Sequence, residues 1–395
     1  MTVLGILPIE VITLIVRDVS RRDLYQCALV NQSFHTATTP FLWQTLRIHD
    51  ATTLLRCFSV HTRLAMVATH VRTIDLQHCH MTNDQLLSIV ACIPQLKRLF
   101  LSSGTSINDS SFRLIPSHCP QLESLSLAGG SITRHSLEAL GQHCHGLRHL
   151  HLRSCLISTS ATMAFSSSVP AALAQCTKLE KLALGDFDSG GWLALEEVMA
   201  ADVSCFVALT HVALWRGSAN FIHRLLTTAQ WPRLTHVRLD HVHGLRHHHM
   251  NQLLARFLQT HPHITWLELS NSQLTDEVLE TIMEALPTLV YLDVSHNRAI
   301  TQAGVRRFLL QCPLLTTFDL TSCDVPLATF PELMAINITT LCTRRTSSAN
   351  RRPMLYLTKL NKTAIKTIRR DDDDVCQHDN DDDAKDSDIR WWVTD

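Results

Sequence analysis

One frame, L-x-x-L-x-L, recurs down most of this chain and restricts it more than any other feature. It reads VRTIDL from Val71, LKRLFL from Leu96, LESLSL from Leu122 and LRHLHL from Leu147, and returns at Leu179, Leu209, Leu234, Ile264, Leu289 and Leu315. Successive starts lie 25, 26, 25, 32, 30, 25, 30, 25 and 26 residues apart. Alternating apolar residues inside each frame predict a short strand with one face buried. A period of this length leaves room for one strand, one turn and one helix, a unit that cannot bury its apolar face alone, so neighbours must stack. With 395 residues, 45% of them hydrophobic, the chain has ample apolar material for such a core.

Between the frames the chain reads CHMTNDQLLSIVACIPQL, SINDSSFRLIPSHCPQL and QLTDEVLETIMEALPTL. Thr82, Asn108 and Thr275 offer side-chain oxygens to cap a helix, an apolar stripe follows at helical spacing, and Cys or Leu with Pro closes it. This form resembles the cysteine-containing leucine-rich repeat. The resemblance implies an α/β solenoid, a horseshoe of short parallel strands and helices. It also gives the cysteines a structural reading. Cys92, Cys119, Cys144, Cys176 and Cys312 fall three or four residues before the next strand, and Cys79, Cys155 and Cys323 fall three residues after a strand's last apolar position. Small, weakly polar side chains suit tight internal ladders, so no nucleophile and no metal ligand is assigned among them.

The residues between and beside the inward leucines face the open, concave side of such a sheet. The column between the second and third anchors holds Asp75, Phe100, Ser126, His151, Ala183, Ala213, Arg238, Glu268, Asp293 and Asp319; the column one place before the second anchor includes His149, Lys181, His211, His236, Trp266 and Tyr291. Arg153, Trp215 and Asp240 follow the third anchor. The middle repeats are thus basic and the later ones acidic and aromatic. His151, Arg153, Trp215, Arg238, Trp266, Glu268, Tyr291 and Asp293 are the candidate substrate-binding residues, expected to take an acidic or phosphorylated stretch beside a basic one. Each is also readable as an ordinary solvated strand position.

The N-terminal stretch LGILPIEVITLIV is apolar, but Pro8 and Glu10 interrupt it, and RDVSRRD follows without a small-residue cleavage site, so it is not read as a secretory signal. Val11, Ile12, Ile15, Val16 and Val19 form one helical stripe, while Ile9 and Leu14 lie off it. A helix apolar on more than one side needs a cover as well as a core. Pro8 suits a first helical position, Asp23 precedes a second run and Phe34 sits in a third.

Residues 7–43 resemble an F-box, keeping its ordered anchors Leu7-Pro8, Glu10, Val11-Ile12, Ile15, Asp23-Leu24, Val30 and Trp43, with Asn31 and Phe34 departing from its usual Cys and Trp. The resemblance implies docking on the adaptor subunit of a Skp–cullin–F-box ubiquitin ligase, and through it on a cullin and a RING subunit. Leu7, Pro8, Ile9, Val11, Ile12, Ile15, Leu24 and Val30 would supply the contact or the core beneath it. The alternative is a helical cap over the first repeat. Trp43, Leu46 and Ile48 fit the repeat frame 28 residues ahead of Val71, which predicts a joint without a linker.

Charge is split at the C-terminus. Residues 344–370 hold nine Lys or Arg and no acid, and residues 371–395 hold eleven Asp, within a net charge of -1. The basic segment is expected to add a strand or cap the repeats, and the acidic tail to be disordered. HVHGLRHHH, residues 241–249, lacks acids or cysteines at ligand spacing and is read as a loop after a strand.

The expected organisation is a small all-α F-box over residues 4–48, repeats over 43–343, the basic segment 344–370 and the tail 371–395. No phosphate loop, carboxylate pair with a supporting base or long apolar span is present in the sequence. The chain therefore reads as a non-catalytic substrate receptor of the cytoplasm or nucleus, without cofactor, metal, membrane or nucleic-acid partner. The alternative is a repeat scaffold that acts without ubiquitin transfer.

Overall fold

The computed structural model describes residues 7–48, 67–102, 107–158, 173, 175–187, 191–192, 206–241, 247–335, 342–347 and 350–369. The acidic tail and residues 242–246 of the histidine-rich run lie outside them. Two compact units divide the chain: Met1–Leu179 with Leu193–Asp202, and Glu180–Trp192 with Val203–Asp395.

The first unit opens with three helices, α1 (Ile9–Arg17), α2 (Arg21–Ala28) and α3 (Gln32–Trp43). Ser20 and Asn31 cap α2 and α3 by accepting the main-chain N–H groups of Asp23 and Phe34. Pro8 stands just before α1 as its cap residue. Ile12, Val16, Leu24 and Ala37 form the core of the three, with Val19, Phe34, Phe41 and Leu42 packed against it.

Helix α3 runs straight into β1 (Thr45–Arg47), which pairs in parallel with β2 (Thr73–Leu76), Leu46 opposite Ile74. β3 (Arg98–Leu101), β4 (Ser124–Ala128) and β6 (His149–Arg153) continue the parallel sheet. A side pair, β5 (Ser131–Thr133) with β7 (Leu156–Ser158), lies apart. Between strands lie α4 (Asn83–Ala91), α5 (Asp109–His118) and α6 (Arg134–His143). Thr82 and Gln85 complete a reciprocal capping box at α4, and Asn108 caps α5.

The second unit repeats the plan with β8 (Lys181–Gly185), β9 (His211–Trp215), β10 (His236–Asp240), β11 (Trp266–Glu268), β12 (Tyr291–Asp293) and β13 (Thr317–Asp319), all parallel neighbours. Its helices are α7 (Ala219–Thr228), α8 (His247–Thr260), α9 (Asp276–Ala285) and α10 (Gln302–Gln311). His247–His249 open a helix, where the sequence reads as loop. Thr275 occupies the cap position of α9 but makes no capping bond, and its buried hydroxyl finds no partner among the described residues.

A hairpin of β14 (Cys342–Ser347) and β15 (Asn350–Leu357) precedes β16 (Lys359–Leu360), which adds antiparallel to β13 and is the sheet's last strand. α11 (Lys362–Arg369) follows, and Arg369 donates to the carbonyls of Leu309, Cys312 and Pro313 at the C-terminal end of α10.

One turn recurs before the strands. The residue three places before the first anchor of each frame accepts that anchor's N–H: Ala68, Ile93, Cys119, Cys144 and Cys176 in the first unit, Phe206, Trp231, His261, Leu286 and Cys312 in the second. These positions are buried. In the first unit the thiol of Cys119 donates to Ile93 O (3.5 Å), that of Cys144 to Cys119 O (3.7 Å) and that of Cys176 to Cys144 O (4.0 Å), so each of these repeats is tied to the one before. Burial pushes the Cys119 and Cys144 thiols up to about 12. Cys92 does not share this role: it caps α4 and is exposed, because Ile93 fills the ladder position.

Candidate functional site

Two surfaces carry the predicted residues. The first lies on the three N-terminal helices. Burying one face of α1 through Ile12 and Val16 turns its other positions outward. Leu7, Ile9, Val11, Leu14 and Ile15 are 37%, 42%, 39%, 66% and 52% exposed, and Tyr25, Leu29 and Val30 are 58%, 65% and 59% exposed. Pro8 is exposed as well. So many large apolar side chains on so small a bundle form a surface awaiting cover.

Of the residues assigned to the contact or the core beneath it, Ile12 and Leu24 are fully or nearly buried and lie in the core. Val11 and Ile15 leave the expected inward stripe, which consists of Ile12, Val16 and Val19. Tyr25 and Leu29 escaped the sequence reading; their spacing of four, from within α2 to its C-terminal cap, is the signal that would have joined them.

The second surface is the open face of the strands. Its columns fall as the frame predicts, since register pairs His211 with His236, His236 with Trp266, Trp266 with Tyr291, and Arg238 with Glu268, then Asp293, then Asp319. Neighbouring strands are about 4.8 Å apart, which brings rings in one column into contact. His211 stacks on His236 (4.0 Å between centroids), and Trp266 on Tyr291 (3.6 Å, 4° between planes), with His236 and Trp266 at 5.8 Å. The nitrogen of Lys359 lies 5.7 Å from the Tyr291 ring centre. Tyr291 is only 4% exposed, so it acts as a support in the stack and not as a free anchor.

Trp215 lies against Ala183 and Ala213. A Cβ built on Gly185 would come 2.6 Å from the Cβ of Trp215, so only glycine leaves the indole room there. The Arg238 guanidinium sits 5.5 Å from the Trp215 ring centre and pairs with Asp240 (2.5 Å) and Glu268 (3.1 Å). The second oxygen of Glu268 accepts the Trp266 indole N–H at 2.7 Å. Arg238 is therefore already neutralised by two acids. This corrects the expectation that it waits for an acidic ligand.

His151 and Arg153 lie in the first unit. His151 is buried, with Nδ1 3.0 Å from Ser126 Oγ, and burial, reinforced by Arg153, lowers its pKa to about 4. Burial and then Lys181 do the same to His236, also to about 4. Both imidazoles are neutral near pH 7 and add no positive charge.

Past Glu268 the acid column has no such neutralisation. Asp293 and Asp319 each accept the N–H two residues on, from Ser295 (2.7 Å) and Thr321 (2.9 Å), which fixes the carboxylates. Among the described residues neither makes an ion pair. Burial, then the charges of Asp319 and Glu268, push the Asp293 carboxyl up to about 7. Among the described residues no group of three or more His, Cys, Asp or Glu is arranged to hold a metal ion, and no helix is long and apolar enough to cross a membrane.

A family model described as F-box-like matches residues 4–49, and one described as Leucine Rich repeat matches residues 285–309. Among solved structures, this chain is similar to an internalin from Listeria monocytogenes at 13% identity and TM-score 0.42, over 83% of this chain and 93% of that one. It is also similar to a leucine-rich-repeat protein of Leptospira interrogans at 17% identity and TM-score 0.39, over 66% of this chain and 57% of that one.

Proposed function

We propose that this chain, in which an F-box-like domain is joined to leucine-rich repeats, is a non-catalytic substrate receptor of a Skp–cullin–F-box ubiquitin ligase. The observation that carries the reading is the exposed apolar set Leu7, Ile9, Val11, Leu14, Ile15, Tyr25, Leu29 and Val30 on the F-box-like helices. Fully burying an exposed aliphatic side chain contributes roughly 1.5 to 3 kcal/mol; these are 37% to 66% exposed and contribute a part of that each, so an adaptor must cover several to offset the cost of association. The cullin and RING subunit come with the adaptor, and a protein substrate binds the open face of the repeat strands. Support for a fixed geometry comes from α3, which passes into β1 without a linker; a receptor acts by positioning.

Ile15→Asp and Leu29→Asp place a charge on the exposed surface and leave the Ile12–Val16–Leu24 core in place. Each should abolish co-purification of adaptor and cullin from cells while circular dichroism stays that of the parent. Undiminished adaptor capture by both folded variants would end the ligase reading. A repeat scaffold without ubiquitin transfer differs in one respect: its partner would keep a constant lifetime when Ile15→Asp is introduced, whereas a substrate would accumulate.

A further inference from the structure

We infer that the open face of β11–β13 receives a Lys or Arg side chain of a partner segment, seated at the Asp293–Asp319 carboxylates beside the Trp266–Tyr291 stack. The inference rests on the receptor reading above and names the chemistry of its substrate.

The argument is one of charge complementarity on an unpartnered sheet face. Asp240, Glu268, Asp293 and Asp319 sit on adjacent strands, and Arg238 pairs with the first two. His236 in the ring column does not compensate, as it is held neutral. Lys359 is the register partner of Asp319, yet its nitrogen lies over the Tyr291 ring.

Asp293 and Asp319 thus remain half-buried, fixed by main-chain donors and short of positive charge. The raised pKa of Asp293 has the same origin, and a cation on the pair would draw it down. Beside them, in the column two residues back, stand stacked rings. Carboxylates held in place suit an ammonium or guanidinium group through charge-assisted hydrogen bonds. An acidic or phosphorylated segment would meet repulsion on this face.

The test is selection of random peptides displayed on phage, using the purified full chain and the Asp293→Asn/Asp319→Asn double variant. The expected result is a pool enriched in Lys or Arg on the parent. A peptide synthesised from that pool should bind the double variant at least tenfold more weakly. Replacing its basic residue by Gln should cost as much on the parent and nothing further on the variant. If the double variant fails to fold, Asp319→Asn alone serves in its place.

A pool without basic enrichment, a pool rich in acids, or undiminished binding to a folded variant overturns the inference. Stabilisation of the parent but not the variant by calcium or magnesium salts would give the pair to a metal ion and likewise overturn it. Adaptor capture by the same preparations separates the two readings. Retained adaptor without basic selection removes only the substrate class; lost adaptor with basic selection removes only the ligase assignment.

Discussion

Neutralising Asp293 should make the protein more stable, and the gain should depend on pH in a calculable way. The carboxyl is raised from 3.8 to about 7 by burial first, then by Asp319 and Glu268. Each tenfold change in proton affinity is about 1.4 kcal/mol, so the ionised side chain costs the fold on the order of 4 kcal/mol. Because the folded value is the higher one, protonation favours the folded state. The cost is absent below the ordinary carboxylate range, grows as pH rises toward 7 and is complete above it.

Asp293→Asn removes the charge and keeps an oxygen for the Ser295 N–H. At about pH 8 the variant should exceed the parent by up to ~4 kcal/mol, and by about pH 5 roughly 2 to 3 kcal/mol of that difference should have vanished. Urea unfolding followed by tryptophan fluorescence at several pH values measures both curves. Their difference isolates this group from the other titrating side chains. Parallel curves, or a variant less stable at alkaline pH, would refute the claim that Asp293 carries an uncompensated charge.

Two further outcomes test the ladder. Cys92 should react with a thiol reagent well before Cys119, Cys144 and Cys155, whose thiols burial pushes up to about 12, as peptide mass mapping would read. Cys144→Ser should lose about 1 to 3 kcal/mol in urea unfolding, with no selective loss of binding. His261 accepts the Trp231 N–H at Nε2 (3.1 Å), while its Nδ1 lies 2.7 Å from Phe257 O, and burial lowers its pKa below 6.5. Its contribution is therefore present above 6.5 and lost as pH falls below it. His261→Leu should cost about 1 to 3 kcal/mol at neutral pH and abolish that acid slope; an unchanged slope would exonerate His261.

The strands were legible because apolar alternation at a fixed period leaves one register, and Leu46 opposite Ile74 follows the frame even at the F-box junction. The same columns already contain the Trp266–Tyr291 stack and the Arg238–Glu268 pair, because equivalent positions on parallel strands are neighbours. Reading them as free side chains overlooked that consequence.

Other features are set by the main chain and leave little trace in residue type. The ladder position is defined by a turn hydrogen bond and accepts Ala, Ile, Cys, Phe, Trp, His or Leu, so counting cysteines misplaced Cys92 by one residue. Asp109 and Asp276, each just after a helix cap, accept the main-chain N–H of Thr133 and Thr301 in the next repeat. Their type suggests only a first-turn acid. The turning of Val11 and Ile15 outward needed the positions of α2 and α3, which a single-helix stripe does not contain.

The backward-pointing thiols of Cys119, Cys144 and Cys176 bear on how such a chain can change length. Each bond refers only to the unit before it, so a whole repeat can be gained or lost and every donor still meets a carbonyl. A single residue inserted between Cys144 and Leu147 would instead shift a turn against a fixed strand, breaking the Leu147 N–H bond to Cys144 O and the pairing of β4 with β6 together. Growth is therefore by whole modules, and where the frame spacing rises to 30 residues between Leu234 and Ile264 the added length lies in α8, which has 14 residues against 10 in α9 and α10.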